Sequence, residues 1–190
     1  MMKSFEKIEI VTPRLLLRVP RMEEAAEVNA AMNEVWNELQ RWMSWAHHGE
    51  NSLEATLRYM ETIPAQLAAG SLPLRGFCRE NGRYVVSTGL HLKDDGIYDT
   101  GYWVAKGFLG KGYATEAATA TMRFAFNELG AKAVTINHYE GNDKSRRIIE
   151  RLGFTKTGVA EKSHARCLDG VLLDEHRYIM TKEQWRERCP

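Results

Sequence analysis

Two stretches of this sequence set residue types that can do chemistry at close spacing. The first is Tyr102-Trp103-Val104-Ala105-Lys106-Gly107-Phe108-Leu109-Gly110-Lys111-Gly112-Tyr113-Ala114-Thr115-Glu116-Ala117, in which a strand pattern runs through a glycine turn directly into a helical pattern. Gly110 and Gly112 let the backbone approach a ligand with no Cβ in the way, and the N–H groups of the first helical turn have no intrahelical acceptor. Such donors, added to the helix dipole, suit a phosphate or pyrophosphate. The second stretch is Asn137-His138-Tyr139-Glu140-Gly141-Asn142-Asp143-Lys144-Ser145-Arg146-Arg147-Ile148-Ile149-Glu150-Arg151-Leu152-Gly153-Phe154. It joins a strand end to a helix, with Asn142 where an N-cap belongs.

Two familiar phosphate sites fail on residue grounds. Gly107 and Gly112 have the glycine gap of a P-loop, but Tyr113 and Ala114 stand where a Lys and a Ser or Thr should reach the phosphates and magnesium. A dinucleotide fingerprint needs a third glycine where Thr115 sits, and a repeated βαβ array that the chain lacks. Taken alone, the glycine turn is a weak signal, which a tight strand-to-helix connection would also produce.

The elements that must carry these stretches follow from periodicity. Val11 to Val19, bounded by Pro13 and Pro20, reads as a short strand. Met22 to Trp45 and Ser52 to Ala69 read as two or three helices broken near Asn33 and Gly49, with Pro64 kinking or ending one of them. Leu74 to Cys78, Tyr84 to Leu92 and Ile97 to Val104 form an antiparallel meander with turns at Asn81-Gly82 and Asp94-Asp95-Gly96. Tyr113 to Leu129 is a helix whose Ala114, Ala117, Ala118, Thr121, Phe124 and Ala125 make a small apolar face, closed by Gly130. Ala133 to Asn137 is a strand, Asp143 to Leu152 a helix ended by Gly153, and Phe154 to Ala160 and Glu175 to Met180 are further strands. The order predicts a single α/β (α+β) domain over residues 1–190, its core about 11–180, with a mixed sheet flanked by helices.

Composition agrees with one domain and narrows its partners. The 190 residues carry 26 Lys plus Arg against 25 Asp plus Glu, which removes the electrostatic footprint of a nucleic-acid binder. No apolar run approaches the roughly 18 residues a membrane span needs, and the charged opening does not read as a signal peptide. Cys78, Cys167 and Cys189 are odd in number and scattered, which points to a reducing, cytoplasmic setting. His47-His48 and His164-Ala165-Arg166-Cys167 lack the remaining ligands of a zinc site, so no metal is expected.

Leu109-Gly110-Lys111-Gly112-Tyr113-Ala114, taken with the Asn142 to Ser145 segment, resembles the GNAT superfamily of acetyl-coenzyme A-dependent N-acetyltransferases. The opening Thr12-Pro13-Arg14-Leu15-Leu16-Leu17-Arg18 and the later Gly153-Phe154, Gly158 to Glu161 and Asp169-Gly170 resemble its RimJ/RimL branch, which acetylates ribosomal-protein N termini. The resemblance implies a strongly twisted sheet splayed near its middle, with acetyl-CoA as acetyl donor and an amine as acceptor, in a monomer or homodimer. It implies that backbone at Tyr102, Trp103 and Val104 pairs with the pantetheine arm, and that Leu109, Gly110, Lys111, Gly112, Tyr113, Ala114 and Thr115 cradle the pyrophosphate. Asn142 would bind near the pantetheine, and Lys144 or Arg147 would neutralise nucleotide phosphate. Two positions depart from the family pattern: Leu109 replaces a Gln or Arg, and Ile149 stands where many members carry a tyrosine as general acid.

Acetyl transfer needs a neutral amine, a donor to the developing oxyanion and a proton for the departing sulfur. With a pKa of about 7.7–8.0, roughly a tenth of α-amines are neutral at pH 7, so an N-terminal acceptor asks little of a base. By the resemblance, Ser145 is the proton donor to the thiolate. Glu161 is a candidate to deprotonate the amine or order a water, and His138, near the end of its strand, titrates in the useful range. Glu116 would repel phosphate unless it points away, so it reads as a support for the fold. Trp36, Trp42, Trp45 and Tyr59 fall in the early helices, where the family builds its acceptor pocket. The resemblance favours a protein or peptide N-terminal α-amine as acceptor over a small amine such as a polyamine, an antibiotic or an amino acid, and a non-catalytic acyl-coenzyme A sensor is the rival reading.

Overall fold

The computed structural model describes residues 7–46, 50–165 and 170–188. Strands β1 (Glu9–Val11) and β2 (Leu15–Arg18) lead into helices α1 (Ala25–Asn33), α2 (Trp36–Trp42), α3 (Leu53–Glu61) and α4 (Ile63–Ala68). Then come β3 (Leu72–Cys78), β4 (Tyr84–Asp94), β5 (Ile97–Val104), α5 (Tyr113–Asn127), β6 (Ala133–Tyr139), α6 (Asp143–Leu152), β7 (Thr155–Ala165), β8 (Leu172–Thr181) and α7 (Lys182–Arg188). The strands form one mixed sheet in the order β1-β2-β3-β4-β5-β6-β8-β7.

The expected strand from Val11 to Val19 is two strands. Thr12-Pro13-Arg14 turns the chain: Leu15 N–H donates to Thr12 Oγ1 at 2.8 Å and Thr12 N–H to Leu15 O at 2.9 Å, so β1 and β2 form a hairpin. Proline's fixed φ suits the turn as well as a strand edge, and periodicity alone cannot separate the two. Pro64 likewise opens a helix instead of ending one, because its missing N–H costs nothing in the first turn of α4. Helix α7 was not foreseen; its Trp185 is buried and stacks on Phe126 of α5 at 5.4 Å.

Every neighbouring pair is antiparallel except β5 and β6, which run parallel and pair only at Ile97↔Ala133, Tyr98↔Val134 and Asp99↔Thr135. Both strands continue, β5 to Val104 and β6 to Tyr139, so they diverge and the sheet splays in its middle. Helix α5 covers one face through Ala117 and Ala120, which pack with Leu15, Leu17, Val85 and Val86 and with Tyr102 and Val104. The alanines let the helix axis come close to the sheet. Trp103, which alternation turns to the opposite face, packs against Met32, Leu39 and Ala46 from the α1 to α3 region.

Candidate active site

The turn between β5 and α5 is built on two left-handed glycines, with φ of +72° at Gly110 and +82° at Gly112, the N-cap of α5. The first backbone bond of α5 runs from Glu116 N–H to Gly112 C=O at 3.1 Å, so the N–H groups of Tyr113, Ala114 and Thr115 have no intrahelical acceptor. Leu109 is 51% exposed and Lys111 Nζ reaches back to Gly107 O at 2.9 Å. An ideal Cβ on Gly112 meets nothing closer than Arg14 Nη2 at 3.5 Å, so the glycine is required by backbone conformation, not by crowding within the chain.

Arg14 and Glu116 hold this turn against the β1–β2 hairpin. Glu116 accepts from Thr12 Oγ1 at 2.6 Å, from Arg14 N–H at 2.9 Å and from Arg14 Nε at 2.6 Å, while Arg14 Nη1 donates to Lys111 O at 2.9 Å. The Arg14 guanidinium also lies 4.2 Å from the centre of the Tyr113 ring. Burial would raise the Glu116 carboxyl, but the Thr12 and Arg14 donors outweigh it and hold the group below its ordinary range. The carboxylate is thus committed to Thr12 and Arg14, and the Thr12 to Arg18 motif acquires a purpose as the brace of the turn.

The splay supplies the second element. Ala105 N–H donates to Val85 O at 2.9 Å, and strand alternation then turns the backbone groups of Tyr102 and Val104 away from β4, toward the gap beyond the last β6 partner. Across that gap, α6 begins at Asn142, whose Oδ1 accepts from Ser145 N–H at 3.2 Å. Ser145 Oγ lies 3.3 Å from the Tyr102 hydroxyl, so the two sides of the splay meet at a pair of hydroxyls. Burial, partly offset by the Ser145 contact, pushes the Tyr102 phenol up to about 12, which keeps it protonated. Ile149, at the family's tyrosine position, is fully buried in the core. On α6, Arg146 is bound to Asp143 and Glu150, whereas Lys144 and Arg147 are exposed.

The opposite face of the sheet carries a polar group that sequence reasoning missed. Asp99, at the last paired position of β5, accepts from Thr135 Oγ1 at 2.8 Å. It is the cross-strand partner of His91, and Asn137 Nδ2 donates to Glu175 Oε1 at 2.6 Å nearby. Burial, together with the Glu175 charge, raises the Asp99 carboxyl, against the Thr135 bond and the charges of Lys93 and His91. A carboxylate within the strand Ile97–Val104, directly after Ile97-Tyr98, was the available signal.

The remaining sequence candidates stand elsewhere. His138 is only 5% exposed, and both ring nitrogens are engaged, Nδ1 with Tyr139 O and Nε2 with Tyr178 OH, each at 3.1 Å. It stacks on His176 at 4.8 Å, and neither contact joins it to Ser145. Glu161 is exposed on β7, which is three strands from β5 or about 14 Å at ordinary strand spacing. Trp36 and Trp103 share one cluster, the Trp42 ring lies where a Cβ built on Gly141 would come within 3.5 Å of it, Trp45 tilts on Trp36 at 6.2 Å, and Tyr59 covers Arg75. Among the described residues no three His, Cys, Asp or Glu gather into a metal site; His47, His48, Cys167 and Cys189 lie outside those residues.

A braced helix N terminus with free N–H groups suited to phosphate, opening onto a splay with unpaired strand backbone, is an arrangement fit for an acyl-coenzyme A. Residues 14–155 match the acetyltransferase (GNAT) domain family, and the chain belongs to that family. It is 32% identical over 151 residues to the "Putative ribosomal N-acetyltransferase YdaF" of Bacillus subtilis (strain 168), covering 77% of this chain and 81% of that one. Among solved structures, RimL, a ribosomal L7/L12 alpha-N-protein acetyltransferase in complex with coenzyme A, superposes with a TM-score of 0.84 at 18% identity, covering 93% of this chain and 99% of that one. The Microcin C7 self-immunity acetyltransferase MccE, in complex with acetyl-CoA and AMP, gives 0.77 at 21% identity over 90% and 93% of the two chains. The chain is thus an N-acetyltransferase that uses acetyl-coenzyme A, and its fold is the splayed mixed sheet that the sequence motifs implied.

Proposed function

We propose that this enzyme acetylates the α-amine of a protein or peptide N terminus by direct attack within a ternary complex. The mechanism rests above all on the Ser145–Tyr102 hydroxyl pair at the splay, 3.3 Å apart. The acceptor class rests on kinship with a relative named as a ribosomal N-acetyltransferase. When bound, the coenzyme supplies an acyl thioester whose carbonyl carbon is the electrophile.

The chain's own groups divide the rest of the work. The N–H groups of Gly110 to Thr115 bind the pyrophosphate, with Lys111, Arg14 and Arg147 adding positive charge nearby. Backbone at Tyr102, Trp103 and Val104 orients the pantetheine amides, and Asn142 holds the turn at the start of α6. Ser145 Oγ delivers its proton to the departing sulfur, the protonated Tyr102 phenol replaces it, and Tyr102 regains a proton from solvent, to which Asp99 returns the one taken from the amine. Asp99, made more basic by burial, takes the proton from the amine; Glu161 serves only if β7 or a bound peptide closes the distance. Its buried free Cys78 thiol fits action in the cytoplasm.

The test is coenzyme A release from acetyl-coenzyme A in the presence of a peptide library and a panel of polyamines, aminoglycosides and amino acids, with mass spectrometry to locate the acetyl group. Acetyl on peptide α-amines is expected. Acetylation of small amines alone would overturn the acceptor class, and binding without release with any amine would overturn catalysis.

A further inference from the structure

On the face opposite α5, Arg75 of β3 pairs in register with Ser87 of β4, and Ser87 pairs with Trp103 of β5. Residues in such a row share a face, so Arg75 belongs to the same surface as Trp103, at the edge of the splay. Arg75 is 8% exposed, and its Nε is buried without a hydrogen-bond partner. No carboxylate pairs with it among the described residues; its contact is the Tyr59 ring, 5.6 Å from the guanidinium carbon. The next arginine in the same row, Arg18, has both an ion pair to Glu24 and the Phe77 ring beneath it. Of two adjacent arginines in this row, the partly buried one therefore has its anion and the buried one does not.

A guanidinium held out of water with no counter-charge is far costlier than a neutral unpaired group. Glu27 brings a negative charge near Tyr84, but its Oε1 accepts from Tyr84 N–H at 2.7 Å and it forms no ion pair with Arg75 among the described residues. Tyr84, whose hydroxyl lies 2.6 Å from Ser87 Oγ, is held well above its ordinary range by burial, with Arg75 pulling the other way, so it stays a neutral donor. Beside the bonded Tyr84–Ser87 hydroxyl pair, Arg75 thus stands as a cation without a carboxylate partner, with the Tyr59 ring against its guanidinium and Trp103 against Tyr84.

We propose that Arg75 receives a carboxylate of the acceptor, an acidic side chain at the second or third residue of the peptide whose N terminus is acetylated. The inference rests on the peptide reading above. Two strand spacings separate Arg75 from Trp103, about 10 Å, which an extended peptide covers in roughly three residues. A guanidinium fork matches a carboxylate in two parallel bonds, so the site discriminates Glu or Asp from Gln or Asn by charge and geometry together.

The experiment uses the full chain in two parallel arms: peptides differing only by Glu or Gln at positions two and three, and amino acids against their carboxamides. Wild type should show a KM at least tenfold lower for the carboxylate form, with kcat changed little. Arg75→Gln should erase that preference by raising KM for the carboxylate form alone, and Arg75→Lys should retain part of it. Without ligand, Arg75→Met should unfold at an equal or higher urea concentration than wild type, since an unpaired buried charge has been removed. Equal KM values for the two forms in wild type, or equal losses for both in Arg75→Gln, would overturn the assignment. A preference confined to the amino-acid arm would overturn the peptide while leaving the carboxylate subsite, so the two failures are separable.

Discussion

Replacing Glu116 by Gln keeps the size of the side chain and removes the charge that three donors converge on. The Thr12 hydroxyl is the sheltered donor, Thr12 being 9% exposed, and its bond to a charged acceptor is worth about 1.5 kcal/mol or more, while the exposed Arg14 N–H bond adds less. The Arg14 guanidinium is 44% exposed, so its ion pair adds only about 0.5–1 kcal/mol. The Gln oxygen retains part of this, while its NH2 faces a cation; the expected loss is about 2 kcal/mol at pH 7. The folded-state carboxyl lies below its unfolded value, so the contribution is complete above about pH 4.5 and fades as acid protonates the folded carboxyl. Urea titrations followed by tryptophan fluorescence at pH 7, 5 and 3.5 should show wild type ahead of Glu116→Gln at the first two and converging at the third. Because Arg14 Nη1 also holds Lys111 O, calorimetry should show coenzyme A affinity several-fold weaker in the variant. Equal midpoints at pH 7, or a gap that persists undiminished into acid, would refute the reasoning.

Gly112→Val must force a β-branched residue to a φ of +82°, at a cost of about 1–2 kcal/mol, and should weaken coenzyme A binding at least tenfold by calorimetry in a folded variant. Tyr102→Phe and Ser145→Ala should each lower kcat by about 10²–10⁴ with coenzyme affinity within a few fold, and the double variant should lose little more than either, because both act on one proton path. Asn142→Ala removes a helix cap worth about 1 kcal/mol and should weaken coenzyme binding more than kcat. Burial, opposed by the Tyr139 carbonyl and assisted by the charges of His176, Arg146 and Lys156, holds His138 below its ordinary range. The unfolded chain then takes up a proton below about pH 6.5 that the folded chain refuses, so stability should fall between pH 7 and 5.5, with a flatter fall in His138→Phe.

Elements defined by local chemistry were legible in the sequence. The Asn81-Gly82 and Asp94-Asp95-Gly96 turns bracket β4 as expected, and α6 spans Asp143–Leu152 because Asn142 caps it and Gly153, at a φ of +86°, stops it. What local pattern could not show were partnerships across the chain. Thr12 and Arg14 meet Glu116 about a hundred positions away, and nothing in either segment alone announces the pairing. His138 sits in a strand that alternates inward, Val134, Ile136 and His138 all being buried, so its imidazole joins Tyr178 in the interior. Asp99 and Arg75 read as ordinary charges in strands; only burial and register reveal one as a perturbed carboxyl and the other as a cation without an anion.

The short parallel pairing between β5 and β6 also governs how the molecule comes apart. Everything from β6 onward, residues 133–188, pairs within itself as β6-β8-β7, and the first five strands pair within themselves. Within the sheet only three register positions join the halves through this seam, supplemented by the Thr135–Asp99 bond, the α5–α6 contact, the Trp185–Phe126 stack and the Tyr102–Ser145 bridge. Amide protons of Thr100 to Val104 that face the gap should therefore exchange early, through openings far cheaper than global unfolding. A ligand whose own amides line that edge behaves as a strand inserted between two cooperative units, so coenzyme binding should merge two exchange classes into one.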